Sequence, residues 1–286
     1  MKGVSAVKWQ NLGKNLAFVV AVAALTIGGW ALFGPRPHQV KLSGQTAAVQ
    51  KLELTAVGDS LTHGVGDDTN AGGYVALIKS DLQATGNYAV TTQNFGVSGD
   101  TSTQIQKRID TQKKLQQGIA DADVLTVTVG GNDLMHVLQA HLLDMNAKNV
   151  AKGSVAFQKH LTKLITTMRG LNKSAPIYVF GIYNPFYVYF PKLTAMTDAV
   201  TTWNKATQQT LAKLDGTYYV DIDSVLTKGG TTASKAAKSS VKAALSDSAN
   251  PLIFTQDHFH PNNAGYAKMT SQLWAKMQAT KKRWAK

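Results

Sequence analysis

Residues 52–61 read LELTAVGDSL. A six-residue run, mostly apolar or β-branched, is closed by Gly58, and polar Asp59 and Ser60 follow at once. That is the punctuation of a short buried strand emptying into a turn. Similar runs recur at 88–95, 124–129, 177–180 and 217–220. Between them, residues 74–84, 101–117, 155–171 and 195–214 carry apolar side chains at helical spacing, clearest in Leu161, Leu164, Ile165, Met168 and Leu171. Strands alternating with helices predict an α/β fold, a three-layer α/β/α sandwich around a mainly five-stranded parallel sheet. Such sheets bind ligands beyond the carboxyl ends of their strands, where the strand order switches. The residues that directly follow each strand are therefore the candidates for function.

Composition narrows the chemistry. The chain has 286 residues, 44% hydrophobic and 16% charged, which is globular and long enough for one large domain or two small ones. It has no cysteine, which excludes disulfides, thiolate metal sites, Fe–S clusters and a cysteine nucleophile. Neither G-x-x-x-x-G-K-[ST] nor G-x-G-x-x-G occurs, so the common nucleotide-binding uses of a parallel sheet are absent. Thirty Lys and Arg against seventeen Asp and Glu give a net charge of +13. These charges are scattered rather than clustered, which argues against a nucleic-acid partner and leaves long-range attraction to anionic surfaces.

Residues 16–33 (LAFVVAVAALTIGGWALF) form an uncharged run. As a helix it is about 27 Å long at ~1.5 Å per residue, close to the ~30 Å hydrocarbon thickness of a bilayer. Lys2, Lys8 and Lys14 precede it, while Arg36 and Lys41 follow, a bias toward a cytoplasmic N-terminus. Signal peptides have shorter apolar cores that end in small residues, whereas this run ends WALFGP. The expectation is an uncleaved single-pass membrane anchor, with a cleaved signal as the alternative. Both send the remaining chain outside the cell. Pro35, Pro37 and residues 41–51 read as a tether, and residues 228–246 as an exposed loop carrying a helix at 233–245.

Strand one ends in Gly58-Asp59-Ser60-Leu61, strand two in Gly96-Val97-Ser98-Gly99, and strand three in Gly130-Gly131-Asn132-Asp133. Late in the chain stands Asp257-His258-Phe259-His260. A hydroxyl, two glycine-rich turns, an amide and an Asp/His cluster at one sheet edge are the parts of an acyl-transfer site. Serine needs a base to take its proton, the base needs an orienting carboxylate, and the intermediate needs donors aimed at its oxyanion.

GDSL at 58–61, the glycine turn at Gly96, GGND at 130–133 and D-x-x-H at 257–260 resemble the four blocks of the SGNH/GDSL hydrolases, in that family's order. GDSLTHGVGDD, VTVGGNDLM and HFHPNNAGY are similar to its lysophospholipase-like secreted or anchored members from Gram-positive bacteria. The resemblance implies a flavodoxin-like sandwich and esterase, lipase or acylhydrolase activity without a cofactor or metal. It implies Ser60 as nucleophile, His260 as base and Asp257 as the residue orienting it. It also implies an oxyanion hole of the Ser60 amide, the Gly96 amide and the Asn132 side chain. The domains expected are a cytoplasmic N-terminus (1–14), an anchor or signal segment (15–33), a linker (34–51) and an SGNH catalytic domain (52–286).

Each of these residues also has a plainer reading. Ser60 suits a helix N-cap, Asp59 can brace the turn, and Asp133 can cap a helix or steady the loop that aims Asn132. Ser98 is a rival nucleophile, but position 100 is Asp and breaks the G-x-S-x-G elbow. Asp257, His258 and His260 are too few for a zinc site without further ligands, and His136 and His141 read as surface residues. His63 either lines the pocket mouth or is an exposed helix residue. Phe186, Tyr187, Tyr189 and Phe190 either line an acyl pocket or plug the space under a loop. Lys276, Lys281, Lys282, Arg283 and Lys286, with Trp274 and Trp284, suggest a helix end resting on anionic lipid or wall polymer. The function expected is an extracellular serine ester hydrolase acting on lysophospholipid or short-acyl esters. An O-deacetylase of wall carbohydrate is the alternative, and a non-catalytic wall- or lipid-binding module the outsider.

Overall fold

The computed structural model describes residues 49–141, 146–229 and 250–285. The expected membrane segment at 15–33 and the helix at 233–245 lie outside these residues. Among the described residues, no helix is long and apolar enough to cross a membrane.

Five strands, β1 (Gln50–Gly58), β2 (Tyr88–Gly96), β3 (Val124–Thr128), β4 (Ile177–Phe180) and β5 (Thr217–Val220), form one sheet in the order β2-β1-β3-β4-β5. Every adjacent pair is parallel, with Gly58 opposite both Gly96 and Thr128. The order reverses between β1 and β3, so the crevice for a ligand opens at the ends of those two strands.

Side chains on a strand alternate between faces, and the core divides accordingly. Val57, Leu125, Val127, Ile177 and Val179 pack in one cluster beneath α3 (Ser102–Thr111), α4 (Lys113–Asp121), α6 (Ala147–Leu171) and α7 (Thr194–Leu211). Leu54, Ala56, Val124, Tyr178, Phe180 and Val220 pack in the other, beneath α2 (Tyr74–Ala84) and α9 (Asn263–Ala279). The short α1 (Ser60–His63), α5 (Gly131–Ala140) and α8 (Asp223–Leu226) each start close after a strand.

The helix expected at 101–117 is two helices, broken at Gln112, whose backbone is extended. Ile105 and Ile109 are buried on one turn pair, Leu115 and Ile119 on the next. Six residues from Ile109 to Leu115 rotate a straight helix by roughly 240° off its buried face. The break lets both pairs meet the sheet. At the C-terminus, Trp284 is buried, donates from Nε1 to Met277 O (2.9 Å) and lies 5.4 Å from the Tyr88 ring. Trp274 also packs against the core. Trp284 therefore serves the interior and Trp274 is half-buried, while Lys281, Lys282 and Arg283 remain exposed.

Candidate active site

Ser60 opens α1 directly after β1, with Asp59 as the N-cap: Asp59 Oδ1 accepts from Leu61 N at 3.0 Å. The Asp59 carboxyl is buried and also accepts from Thr128 Oγ1 at 2.7 Å. Burial pushes its pKa above the ordinary carboxylate range against the pull of those bonds. Behind it runs a chain of buried hydroxyls. Thr128 Oγ1 is 2.8 Å from Thr62 Oγ1, which is 3.0 Å from the Tyr74 hydroxyl, itself 3.0 Å from Thr126 Oγ1. The turn that presents Ser60 is thus tied to β3 and α2 by polar groups satisfied inside the core.

His260 reaches Ser60 from the other end of the chain. Its Nε2 lies 2.8 Å from Ser60 Oγ and its Nδ1 lies 2.6 Å from Asp257 Oδ2. Asp257 Oδ1 accepts the backbone N–H groups of Phe259 (2.8 Å) and His260 (3.0 Å). Burial alone would raise the Asp257 carboxyl, but the hydrogen bonds from His260 and these two amides outweigh it and hold the pKa below the usual value. The carboxylate is therefore charged and able to steady an imidazolium.

The loop bearing this pair is held firmly. Phe254 N donates to His260 O (2.8 Å), Ile253 and Pro261 form an isolated antiparallel bridge, and Asn262 caps α9. The Tyr183 hydroxyl donates to Phe259 O at 2.5 Å, and the Tyr189 hydroxyl sits 3.1 Å from His258 Nδ1. His258 itself has a positive φ of 54°, an uncommon backbone state for a non-glycine residue. Among the described residues, no group of three or more His, Cys, Asp or Glu could hold a metal ion.

Asn132, in the first turn of α5, donates from Nδ2 to Asp100 O at 2.9 Å, which leaves its second amide hydrogen for another acceptor. Asp133 beside it accepts from Ser102 N (2.9 Å) and Ser102 Oγ (2.5 Å), coupling the starts of α5 and α3. Sequence reading overlooked Arg108. From α3 it donates Nε to Asp100 Oδ2 (2.6 Å), Nη1 to Phe95 O (2.9 Å) and Nη2 to Gly58 O (2.9 Å). One guanidinium fork thereby joins the ends of β1 and β2 to the loop after β2. No pattern in the chain marks it, because an Arg within a polar amphipathic helix looks like any solvated one.

Gly96 departs from its expected role. Its N–H donates to Asn94 Oδ1 at 2.9 Å and is spent within its own strand. A Cβ at Gly96 would stand 2.1 Å from His63 N, so the glycine lets α1 lie against β2. Gly99, in the loop gripped by Asn132 through Asp100, has φ +84° and no heavy atom within 4 Å of an added Cβ. Gly96→Ala should cost on the order of 3 kcal/mol or more through backbone overlap. Gly99→Ala should cost about 1–2 kcal/mol from its left-handed backbone alone. Urea unfolding of the two variants checks that order.

A cavity of about 40 Å³ adjoins Ser60, walled by Leu61, Val129, Ile182, Tyr183, Pro185 and Phe259. The other expected pocket residues stand elsewhere. His63 is exposed, with Nδ1 3.3 Å from Gly96 O. Tyr189 is buried against His258. Phe186 packs on Phe259 with ring centroids 6.1 Å apart, and Tyr187 lines a different cleft. The aromatic run mainly props the loop of His260, because its rings are spent on Phe259 and His258.

The chain shares 32% identity over 241 residues with the uncharacterized protein YpmR of Bacillus subtilis, covering 83% of this chain and 85% of that one. Its fold matches the lipase Lip_vut3 from a goat rumen metagenome (TM-score 0.62, 23% identity, 79% of this chain and 97% of that one). It also matches a mutant of Axe2, an acetyl-xylooligosaccharide esterase from Geobacillus (0.55, 19%, 80% and 95%). The model of the GDSL-like lipase/acylhydrolase family spans residues 56–268, which takes in the end of β1, the turn of Ser60, the loop of Asn132 and the loop of His260. With most of its described fold inside that match, the chain belongs to the GDSL-like lipase/acylhydrolase family and is a carboxylic ester hydrolase.

Proposed function

We propose that the chain hydrolyses short-acyl esters through an acyl-enzyme on Ser60. The observation that carries this is the unbroken chain of contacts from Ser60 Oγ through His260 to Asp257. Ser60 Oγ bonds to the acyl carbon as His260 Nε2 takes its proton, and Asp257 stabilises the resulting imidazolium. Collapse of the tetrahedral intermediate breaks the bond to the alcohol, which leaves with the proton from His260. Water, deprotonated by His260, then releases the acid and restores Ser60. The Ser60 amide, an orphan donor of the first turn of α1, and Asn132 Nδ2 face the oxyanion. Gly99 N–H, in place of Gly96, completes the set from the loop that Asn132 holds.

The volume at Ser60 bears on acyl length. A cavity of about 40 Å³ admits on the order of three water-sized groups, the size of an acetyl and far below a pocket for a long chain. This favours short-acyl esters over lysophospholipid. The catalytic unit works outside the cell, carried there by the segment at 15–33. A series of p-nitrophenyl esters tests the reading. Turnover should peak at acetate or propionate and fall at least about tenfold by octanoate. A maximum at octanoate or longer would refute the short-acyl assignment. A fluorophosphonate should add covalently at Ser60.

A further inference from the structure

We infer that the polar cleft on the β5 side of the catalytic pocket binds sugar units of an oligosaccharide that carries the scissile ester. The inference rests on the short-acyl esterase reading above and supplies its alcohol. The cleft measures about 490 Å³ and lies between α7 and the segment that follows β5. It adjoins the cavity at Ser60 through one shared wall. Asn204, which lines the cleft, donates Nδ2 to Ile182 O (2.8 Å) and accepts from Ile182 N (2.8 Å), while Gly181 and Ile182 line the small cavity on the other side.

The two cavities differ in the side chains that line them. The one at Ser60 is largely apolar; no aliphatic side chain lines the larger one. Thr201, Lys205 and Gln208 stand on one face of α7 at four- and three-residue spacing. Tyr219 and Asp221 oppose them, and Tyr187 forms part of the rim. Hydroxyl, amide, ammonium and carboxylate groups around two tyrosine rings match a ligand with many hydroxyls and apolar ring faces. An acyl chain laid there would desolvate these groups without bonding them, at a cost. Tyr187 thus takes a place in substrate recognition on the alcohol side of the ester.

Distance sets the size of the ligand. From β1, which delivers Ser60, to β5, which holds Tyr219, there are three strand steps, roughly 14 Å at ~4.8 Å each. A ligand whose ester carbonyl lies at Ser60 and which reaches Tyr219 on the far wall of the cleft therefore spans several sugar units, more than a monosaccharide ester offers.

The test compares acetylated xylotetraose and acetylated chitotetraose with their acetylated monomers and with p-nitrophenyl acetate. In the wild type, one tetramer should exceed its monomer at least about tenfold in kcat/KM, through KM. Thr201→Trp fills the cleft from an exposed position of α7. It should raise KM for that tetramer about tenfold and leave kcat and p-nitrophenyl acetate turnover unchanged. Calorimetric binding of the deacetylated tetramer, which needs no turnover, should be lost in the same variant. Equal monomer and tetramer kinetics, or tetramer binding unaffected by Thr201→Trp, would overturn the cleft assignment. Failure of the wild type to cleave p-nitrophenyl acetate would instead overturn the esterase reading, with the binding measurement still deciding the cleft.

Discussion

Ser60→Ala is expected to lower kcat for p-nitrophenyl acetate by about 10⁴–10⁶-fold, to the level left by binding and oxyanion donors alone. In the proposed mechanism Oγ is the atom that bonds the acyl carbon, and nothing else in the site substitutes for it. The other hydroxyls nearby are committed elsewhere. Thr62 and Thr128 are buried in the network behind Asp59, and Ser102 Oγ donates to Asp133. The structural cost is small, because the Ser60 side chain contributes a hydrogen bond to His260, worth about 1 kcal/mol. The Asp59 cap and the backbone bonds from Gly64 and Val65 to Ser60 O persist without it. Thermal unfolding of the variant should therefore track the wild type while turnover vanishes. Turnover within tenfold of wild type would assign the chemistry to another group.

The sheet was legible because each strand is a short apolar run that ends in a polar turn. Such ends mark the switch point between β1 and β3, where Ser60 and Asn132 stand. Legibility failed where the deciding contact is not periodic. Polar Gln112 carries no mark of a helix break, and only the six-residue gap between Ile109 and Leu115 hints at it. Gly96 and Gly99 are three residues apart in one turn, and a sequence cannot say which amide is consumed by Asn94 Oδ1. The difference lies in a side chain folding back on its own strand. The aromatic run from Phe186 had the composition of an acyl pocket, yet its rings turn toward Phe259 and His258. Composition reports what a loop can bury, and the partner it buries against depends on a loop some seventy residues later. The pairing of Ser60 with His260, two hundred residues apart, was legible only through motif order.

Asp257→Asn is expected to lower kcat by about 10⁴-fold although the side chain keeps its shape. The reason lies in which oxygen does what. Oδ1 accepts two backbone N–H groups, from Phe259 and His260, and Oδ2 faces His260 Nδ1. An asparagine must put its carbonyl where the two donors are, since an NH₂ there would oppose both amides. Its NH₂ then points at Nδ1 and forces that nitrogen to accept. The imidazole proton moves to Nε2, aimed at Ser60 Oγ, so the ring offers a donor where a base is needed. The loop keeps both of its backbone bonds, so unfolding should change little while turnover collapses. Nitrogen chemical shifts of His260 would report the exchanged tautomer directly. An Asp257→Asn enzyme that retains the Nδ1–H tautomer and turns over within tenfold of wild type would show that Asp257 orients the loop and not the ring. The two amide bonds to Oδ1 are what make the outcome one-sided. Without them the asparagine could flip, present its oxygen to Nδ1 and restore the working tautomer.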